Sequence, residues 1–484
     1  MNLRELLEEI DYVEAKGNLD REIHDITHDS RKAGKGIGFT AIKGENRDGH
    51  SYIKDLVEKG TDIIFYEEDQ EAYPETAAFI KLKDSRKYMA DIAAAIHGYP
   101  SRGFELFGVT GTNGKTSTTY IIDHLLSSCG KKVATIGTNG VNIFGKNEKL
   151  ENTTPESSDL QKIFRRFADA GVEEAVMEVS SHALDLHRVR MAEFDYGIFT
   201  NLTMEHLDFH GDMESYYYAK KQLFDQVQKS AVINIDDPYG ERLFYELKKE
   251  GKDVKSFGKE GDYSIRNLSF RKKAYSFDLS LPDKTVHSME IKSTALFTVY
   301  NIVGALSICC EAGFPIDLLI EAAGNFKGAE GRYESIENDL GFDIVIDYAH
   351  TPDALKNLLE TAAGHKGRTI LVFGVSGDRR KDIREEMGRI AGKYSDYAIV
   401  TMDDPKKDTV ENINRDIVRG LDSVSGKYEC IEDRKKAVEK GIDLCKPGDL
   451  LFFAGKGHER FMKIGEEKVP FDERELIKEY LKKK

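Results

Sequence analysis

The chain has 484 residues, of which 40% are hydrophobic and 32% charged, and its formal net charge is −15 at pH 7. That length exceeds one ordinary core and predicts about three domains. The acidic balance excludes a nonspecific nucleic-acid binder, and no apolar run reaches the roughly 18–20 residues that span a bilayer, so neither nucleic acid nor membrane is an expected partner.

The opening stretch MNLRELLEEIDYVEAKG is acidic and amphipathic, unlike a signal peptide. Cys129, Cys309, Cys310, Cys430 and Cys445 show neither CxxC nor metal-ligand spacing. They read as reduced thiols, and a cytoplasmic location is expected. Residues 1–98 mix short strands and helices and end in an Ala-rich helix over Tyr88–His97, before the turn residues 98–103.

Phe104–Val109 then reads as a buried strand, Thr110–Thr116 (TGTNGKT) as a glycine turn, and Ser117–Leu126 as a helix. Strand, glycine turn, Lys-Thr and helix make a phosphate-binding loop. Its glycines let backbone N–H groups face phosphate oxygens, Lys115 reaches the outer phosphates, and the Thr116 hydroxyl suits Mg²⁺. The motif is shorter than G-x-x-x-x-G-K-[ST], because Val109 stands where the first glycine belongs.

Apolar runs at 133–138, 174–181, 196–202 and 230–236 alternate with helical segments, which predicts an α/β fold with a largely parallel sheet. Residues 255–292 are polar and irregular, as in an antiparallel appendage. After a second turn-rich junction at 324–331, runs at 343–349, 369–375, 397–403 and 449–455 predict another α/β unit of Rossmann-like size. The expected boundaries are therefore 1–98, 99–328 and 329–484, the central domain carrying the phosphate loop.

Polar residues at the ends of these runs are the candidates for chemistry. Glu178 and His206, near the phosphate loop, are candidate ligands of nucleotide-bound Mg²⁺. Lys220, within Tyr218–Phe224, reads on its own as part of a solvated helix face, and Thr153-Thr154-Pro155 as a turn. In the last third, Arg332 is placed to meet a γ-phosphate. Asp347–Asp353 also follows an apolar run, and the three loops Gly374–Arg380, Asp403–Lys406 and Gly455–Glu459 read as a pocket of mixed charge.

Taken in order, these motifs resemble the Mur ligases, ATP-dependent amide-forming enzymes of peptidoglycan precursor synthesis, and within them the diamino-acid-adding group. The resemblance spans the chain through HDSR (28–31), GTNGKT (111–116), TTP (153–155), MEVSSHAL (177–184), HRV (187–189), NLTMEHLDFHGD (201–212), AKKQLF (219–224), GRYE (331–334), DYAHTPD (347–353) and GKGHE (455–459).

The resemblance implies a first domain that holds the uridine end of a UDP-sugar, with Ser30 at the uracil or ribose. It implies ATP on Gly111, Thr112, Asn113, Gly114, Lys115 and Thr116, with Asn301 near adenine, although Thr298 departs from the usual Asn. Mg²⁺ would take Thr116, Glu178, His206 and a carbamylated Lys220. Thr153, Thr154, Ser181 and Arg188 would grip the sugar-peptide, while Arg332, Asp347 and His350 complete the nucleotide site from the third domain. Lys115, Lys220, Arg332 and His350 would be catalytic. The implied partners are UDP-N-acetylmuramoyl-L-alanyl-D-glutamate and a free diamino acid, on a monomer.

That amino acid would lie against Arg379, Asp403, Asp404, Lys406, Gly455 and Glu459. Members that add meso-diaminopimelate usually carry Asp-Asn-Pro-Arg, whereas this chain has Asp403-Asp404-Pro405-Lys406. Asp404 adds negative charge and Lys406 lacks the guanidinium fork, which favours an amine-ended substrate such as L-lysine or L-ornithine over meso-diaminopimelate, with L-lysine preferred. A folylpolyglutamate synthetase and a nucleotide-dependent switch protein are the rival readings. The DSR motif speaks against the first, and the order of motifs through both later domains against the second.

Overall fold

A computed structural model describes residues 1–44, 47–150, 152–271, 274–363 and 365–484, apart from the Asp208 side chain. Three sheets, each with its own apolar core, divide the chain into N-terminal, central and C-terminal domains. By contacts it forms two compact units, Met1–Ser264 with Gly304–Ala322, and Ile265–Val303 with Ala323–Lys484.

The N-terminal sheet consists of β1 (Glu14–Lys16), β2 (Asp25–Thr27), β3 (Ile37–Thr40), β4 (Ile63–Tyr66) and β5 (Ala78–Lys81) in the order β1-β5-β4-β3-β2. The Ala-rich helix covers Ser85–Ile96, opened by the Asp84 carboxylate, which accepts from Lys87 N–H at 2.9 Å. It packs on the helix Ser157–Ala170 of the central domain. Lys162 pairs with Asp25 at 2.6 Å and Arg190 with Asp91 at 2.9 Å across the same junction.

The central strands are β6 (Glu105–Thr110), β7 (Val133–Gly137), β8 (Gly140–Ile143), β9 (Lys146–Glu148), β10 (Glu174–Glu178), β11 (Tyr196–Phe199), β12 (Ser230–Asn234), β13 (Val254–Gly258) and β14 (Tyr263–Arg271). Their order is β14-β13-β12-β11-β6-β10-β7-β8-β9, parallel except for the β7-β8-β9 meander. β7, β10, β11 and β12 are buried along their whole length, which is why they appear in the sequence as unbroken apolar runs. The run expected at 174–181 stops at Glu178, because Ser180 turns out of the strand and accepts from Ala183 N–H to open a short helix. β15 (Ala274–Ser280) and β16 (Val286–Ile291) pair antiparallel within the stretch expected to be an appendage.

In the C-terminal domain β17 (Glu334–Ile336), β18 (Asp343–Asp347), β19 (Thr369–Phe373), β20 (Tyr397–Val400), β21 (Tyr428–Cys430) and β22 (Leu450–Ala454) run in the order β17-β18-β22-β19-β20-β21, with only β17 antiparallel. A hairpin of β23 (Phe461–Ile464) and β24 (Glu467–Pro470) follows. The helices Lys381–Tyr394 and Val410–Ser423 meet backbone to backbone. A Cβ on Gly388 would stand 1.9 Å from Ile417 O, and one on Gly420 1.8 Å from Glu385 O. Among the described residues no helix is long and apolar enough to cross a membrane.

Candidate active site

The phosphate loop leaves β6 at Thr110 and enters the helix Lys115–Ser128 with Gly114 at φ 86° and no side chain capping the helix end. Its back is pinned to the residues after β11. Thr112 N–H donates to Asn201 O at 2.8 Å, Asn113 N–H to Asn201 Oδ1 at 2.9 Å, and Thr200 Oγ1 to Asn113 O at 2.7 Å. Gly111 is obligatory there, since a Cβ would sit 1.9 Å from Thr200 Oγ1. A helix N-terminus without a side-chain cap, reached through glycines, is an anion site.

Two amines converge on this loop. Lys115 Nζ donates to Gly111 O at 2.9 Å and to Thr112 O at 2.8 Å, and Lys220 Nζ donates to the same Gly111 O at 2.8 Å. Lys220 is only 1% exposed, which corrects the solvated helix face read from the sequence. Its neighbours on the helix Met213–Gln226 include the buried Tyr216 and Tyr217, so polar residues flank a face that is in fact inward. Burial, with Lys115 close by, lowers the Lys220 pKa well below the ordinary 10.5. Both causes favour the neutral form of the amine.

Glu178 closes β10 at 1% exposure. Its carboxylate accepts from Thr116 Oγ1 at 2.9 Å, Thr138 Oγ1 at 3.1 Å and Thr138 N–H at 2.8 Å. Among the described residues it has no ion-pair partner, an unusual state for a buried carboxylate. Oxygen donors without a resident cation suit a hard divalent ion such as Mg²⁺. His206 adopts φ 57° at the start of the helix Leu207–His210, with its ring 4.8 Å from that of His182 and 6.3 Å from that of Tyr216.

The same carboxylate organises the residues expected at the sugar-peptide. Thr138 Oγ1 lies 3.2 Å from Thr153 Oγ1, and Thr154 Oγ1 donates to Glu178 O at 2.9 Å. Arg188 donates to Thr154 O at 3.2 Å and pairs with Glu156 at 2.7 Å, while burial lowers its pKa. Ser181 Oγ lies 2.9 Å from His210 Nε2, and His210 Nδ1 lies 3.1 Å from Asp185. An Nδ1–H held by Asp185 leaves Nε2 to accept the Ser181 proton, so the hydroxyl presents lone pairs outward. Sequence reasoning gave no role to Thr138, His210, Asp185 or Tyr216, whose hydroxyl is 3.1 Å from Thr112 Oγ1. Only the place of Thr138, at the end of an apolar run, hinted at a site. Ser30 stands apart from this network, in the turn after β2, where Arg31 holds the neighbouring Asp29 carboxyl at about 2.

The second unit carries the remaining candidates. Asn301 is buried in the helix Leu296–Glu311. Asp347 ends β18 and accepts from Tyr333 N–H at 2.7 Å and Ala349 N–H at 2.8 Å. Burial raises its pKa against the pull of Arg332, whose guanidinium lies 4.6 Å from the Tyr348 ring centre. His350 Nδ1 donates to Tyr348 O at 2.7 Å, which leaves Nε2 as an acceptor.

Between the ends of β19, β20 and β22, the wholly buried Lys456 gathers Asp403 at 3.5 Å, Asp404 at 2.9 Å and Glu459 at 2.5 Å. Burial disfavours its charge, but the three carboxylates outweigh burial and raise its pKa. Burial likewise raises that of Glu459 against Lys456. Asp404 Oδ1 also accepts from Lys463 N–H at 2.9 Å. Asp404 is thus buried and shares Lys456 with two other carboxylates. Gly455, at φ 109°, passes close to Asp403. Lys406 pairs with Asp378, and among the described residues Arg379 makes no side-chain hydrogen bond or ion pair.

Residues 109–309 match the Mur ligase middle domain, 331–457 the Mur ligase glutamate ligase domain, and 22–97 the catalytic domain of the Mur ligase family. The chain is 40% identical to a UDP-N-acetylmuramoyl-L-alanyl-D-glutamate–2,6-diaminopimelate ligase of Clostridioides difficile (strain 630), over 100% of both chains. A protein of the same name from Alkaliphilus metalliredigens (strain QYMF) is 40% identical over 99% of this chain and 98% of its own. A solved structure with that name superposes with a TM-score of 0.70 at 27% identity, covering 100% of this chain and 99% of the other. All three names carry 2,6-diaminopimelate and none L-lysine, so they favour the alternative over the preference for L-lysine. By sequence over its full length and by fold, the chain belongs to the Mur ligase family.

Proposed function

We propose that this ATP-dependent ligase joins meso-diaminopimelate to the D-glutamyl carboxylate of UDP-N-acetylmuramoyl-L-alanyl-D-glutamate, in the cytoplasm. The observation that carries the reading is the Glu178 node, where one buried carboxylate binds Thr116 of the phosphate loop and Thr138, itself 3.2 Å from Thr153. This supports a phosphoryl donor and an acceptor carboxylate that meet at one place. On this reading, with boundaries at 98 and 328, the first domain takes the UDP end, through Ser30, and the third takes the amino acid.

A carboxylate is a poor electrophile because its leaving group would be oxide. Its oxygen attacks the γ-phosphorus of ATP, ADP leaves, and the acyl phosphate gains a leaving group. The diaminopimelate amine attacks the acyl carbon, and the tetrahedral intermediate collapses to amide and phosphate. Lys115 offsets charge on the transferring phosphoryl group, and the Gly111–Thr116 turn supplies N–H donors. Thr154, Ser181 and Arg188 hold the acceptor still, which converts a bimolecular encounter into an oriented one.

Mg²⁺ held by Thr116, Glu178, His206 and a carbamylated Lys220 would neutralise phosphate charge. The neutral form of the Lys220 amine suits carbamylation: its lone pair adds to CO₂ and one proton is released to solvent. At the amino-acid end, Asp403, Glu459 and the Gly455 turn receive an ammonium group, and Lys406 with Arg379 receive the far carboxylate.

The test is ATP-dependent phosphate release with the UDP-linked dipeptide and meso-diaminopimelate, L-lysine or L-ornithine in separate reactions. Turnover with diaminopimelate is expected. Turnover with L-lysine or L-ornithine only would sink the assignment of the amino acid, and phosphate release that ignores both acceptors would sink the ligase reading.

A further inference from the structure

Lys406 is the cation that the proposed function places against the far carboxylate, yet its ammonium is already paired with Asp378. The pair is built from two loops of unequal stiffness. Lys406 has φ 52° and is fixed by its backbone, donating to Lys463 O at 3.2 Å and accepting from Gly465 N–H at 3.0 Å. The loop after β19 is tied to its neighbour one residue before Asp378, by Gly377 N–H to Asp404 O at 2.8 Å. A Cβ on Gly377 would meet Pro405 O at 1.9 Å, so the two loops touch through backbone there. Asp378 itself is 56% exposed, against 30% for Lys406, and its other oxygen accepts from Ser376 Oγ at 2.7 Å. It can leave Lys406 without losing every partner.

We infer that Asp378 is an internal stand-in for the substrate's far carboxylate, holding Lys406 in place until that carboxylate displaces it. This rests on the diaminopimelate reading. An amino acid ending in a carboxylate exchanges one anion for another at Lys406, whereas one ending in an amine alone has nothing to exchange and leaves the pair closed. Asp378 is therefore a specificity-determining residue: it lowers affinity for every carboxylate-ended substrate by competing with it, and it keeps Lys406 neutralised against amine-ended ones. The neighbouring Arg379 guanidinium supplies the second cation that the displaced Asp378 would otherwise screen.

The test compares wild type, Asp378→Asn and the double variant Asp378→Asn/Lys406→Met in steady-state kinetics with meso-diaminopimelate and L-lysine. For Asp378→Asn, KM for diaminopimelate falls about two- to fivefold, the range for breaking a partly exposed ion pair. KM for ATP stays unchanged, and the preference for diaminopimelate over L-lysine rises by a similar factor. The gain is absent when Lys406→Met is added, because both changes act through one contact. Asp378→Glu restores wild-type behaviour. If wild type and Asp378→Asn both use diaminopimelate with the same KM, or if KM for ATP moves in parallel, Asp378 plays only a structural part and the inference falls alone. If wild type uses L-lysine only, the inference falls together with the reading it rests on.

Discussion

At the scale of single residues, the site depends on how tightly Glu178 is held. Gly137 leaves it room: a Cβ there would stand 2.2 Å from Glu178 Oε1, the atom that accepts Thr138 N–H. Gly137→Ala is expected to turn the carboxylate away and cost about 1–3 kcal/mol in overpacking. It should lower kcat at least tenfold, with ATP affinity measured separately. A variant of wild-type activity would show that Glu178 is not the organising group.

Lys220 gives a pH prediction whose sign follows from its lowered pKa. Between the folded value and the ordinary 10.5 the unfolded chain binds the proton and the folded chain does not. Stability from this group therefore rises with pH across that window and is lost as pH falls through the folded value. In CO₂-free buffer, Tm of Lys220→Met minus Tm of wild type should grow as pH is lowered. A pH-independent difference would mean the amine is charged when folded. The lysine was legible only by resemblance, because its flanking sequence YYAKKQ gives no periodic sign that one of two adjacent lysines points inward. The burial of Asp404 was not legible for a related reason: its partner Lys456 lies 52 residues away in the sequence.

At the scale of elements, the strands were legible because both faces of the central sheet are covered and the runs are continuously apolar. The hairpin β23–β24 was not legible. Its strands FMKI and EKVP are short and largely exposed, so composition carries no signal. It nonetheless fixes Lys406 and, through Lys463 N–H, Asp404. The glycine contact between the helices Lys381–Tyr394 and Val410–Ser423 has a reach of the same kind. Arg384 on the first helix donates to Gly377 O at 2.7 Å and pairs with Asp408 at 2.7 Å. Gly388→Ala should push the helices apart, cost about 1–3 kcal/mol, and raise KM for the amino acid while leaving that for ATP unchanged. Equal effects on both would refute transmission through Arg384.

At the scale of the molecule, separate apolar cores and two compact units argue against a single cooperative transition. Scanning calorimetry should show a van't Hoff enthalpy below the calorimetric one, with at least two components. ATP analogues should shift the component that contains the phosphate loop, by mass action on the state that binds them. A single two-state peak would show instead that the units melt as one body.

The first unit is not continuous in the chain: it breaks off at Ser264 and resumes at Gly304. Its returning helix supplies the Ala322 carbonyl that lies 2.9 Å from His124 Nε2, on the phosphate-loop helix, across 198 positions of sequence. Glu311 in the same return accepts from the Tyr263 hydroxyl at 2.7 Å, and Gly304 settles against Phe257 and Ile198. During translation these partners emerge only after Ile265–Val303 has been made. The nucleotide-binding half, although synthesised first, must therefore wait on the ribosome with an apolar flank uncovered until the helix arrives. Nascent chains arrested short of Gly304 should remain sensitive to protease at the phosphate-loop helix, and chains extended well past Ala322 should become resistant.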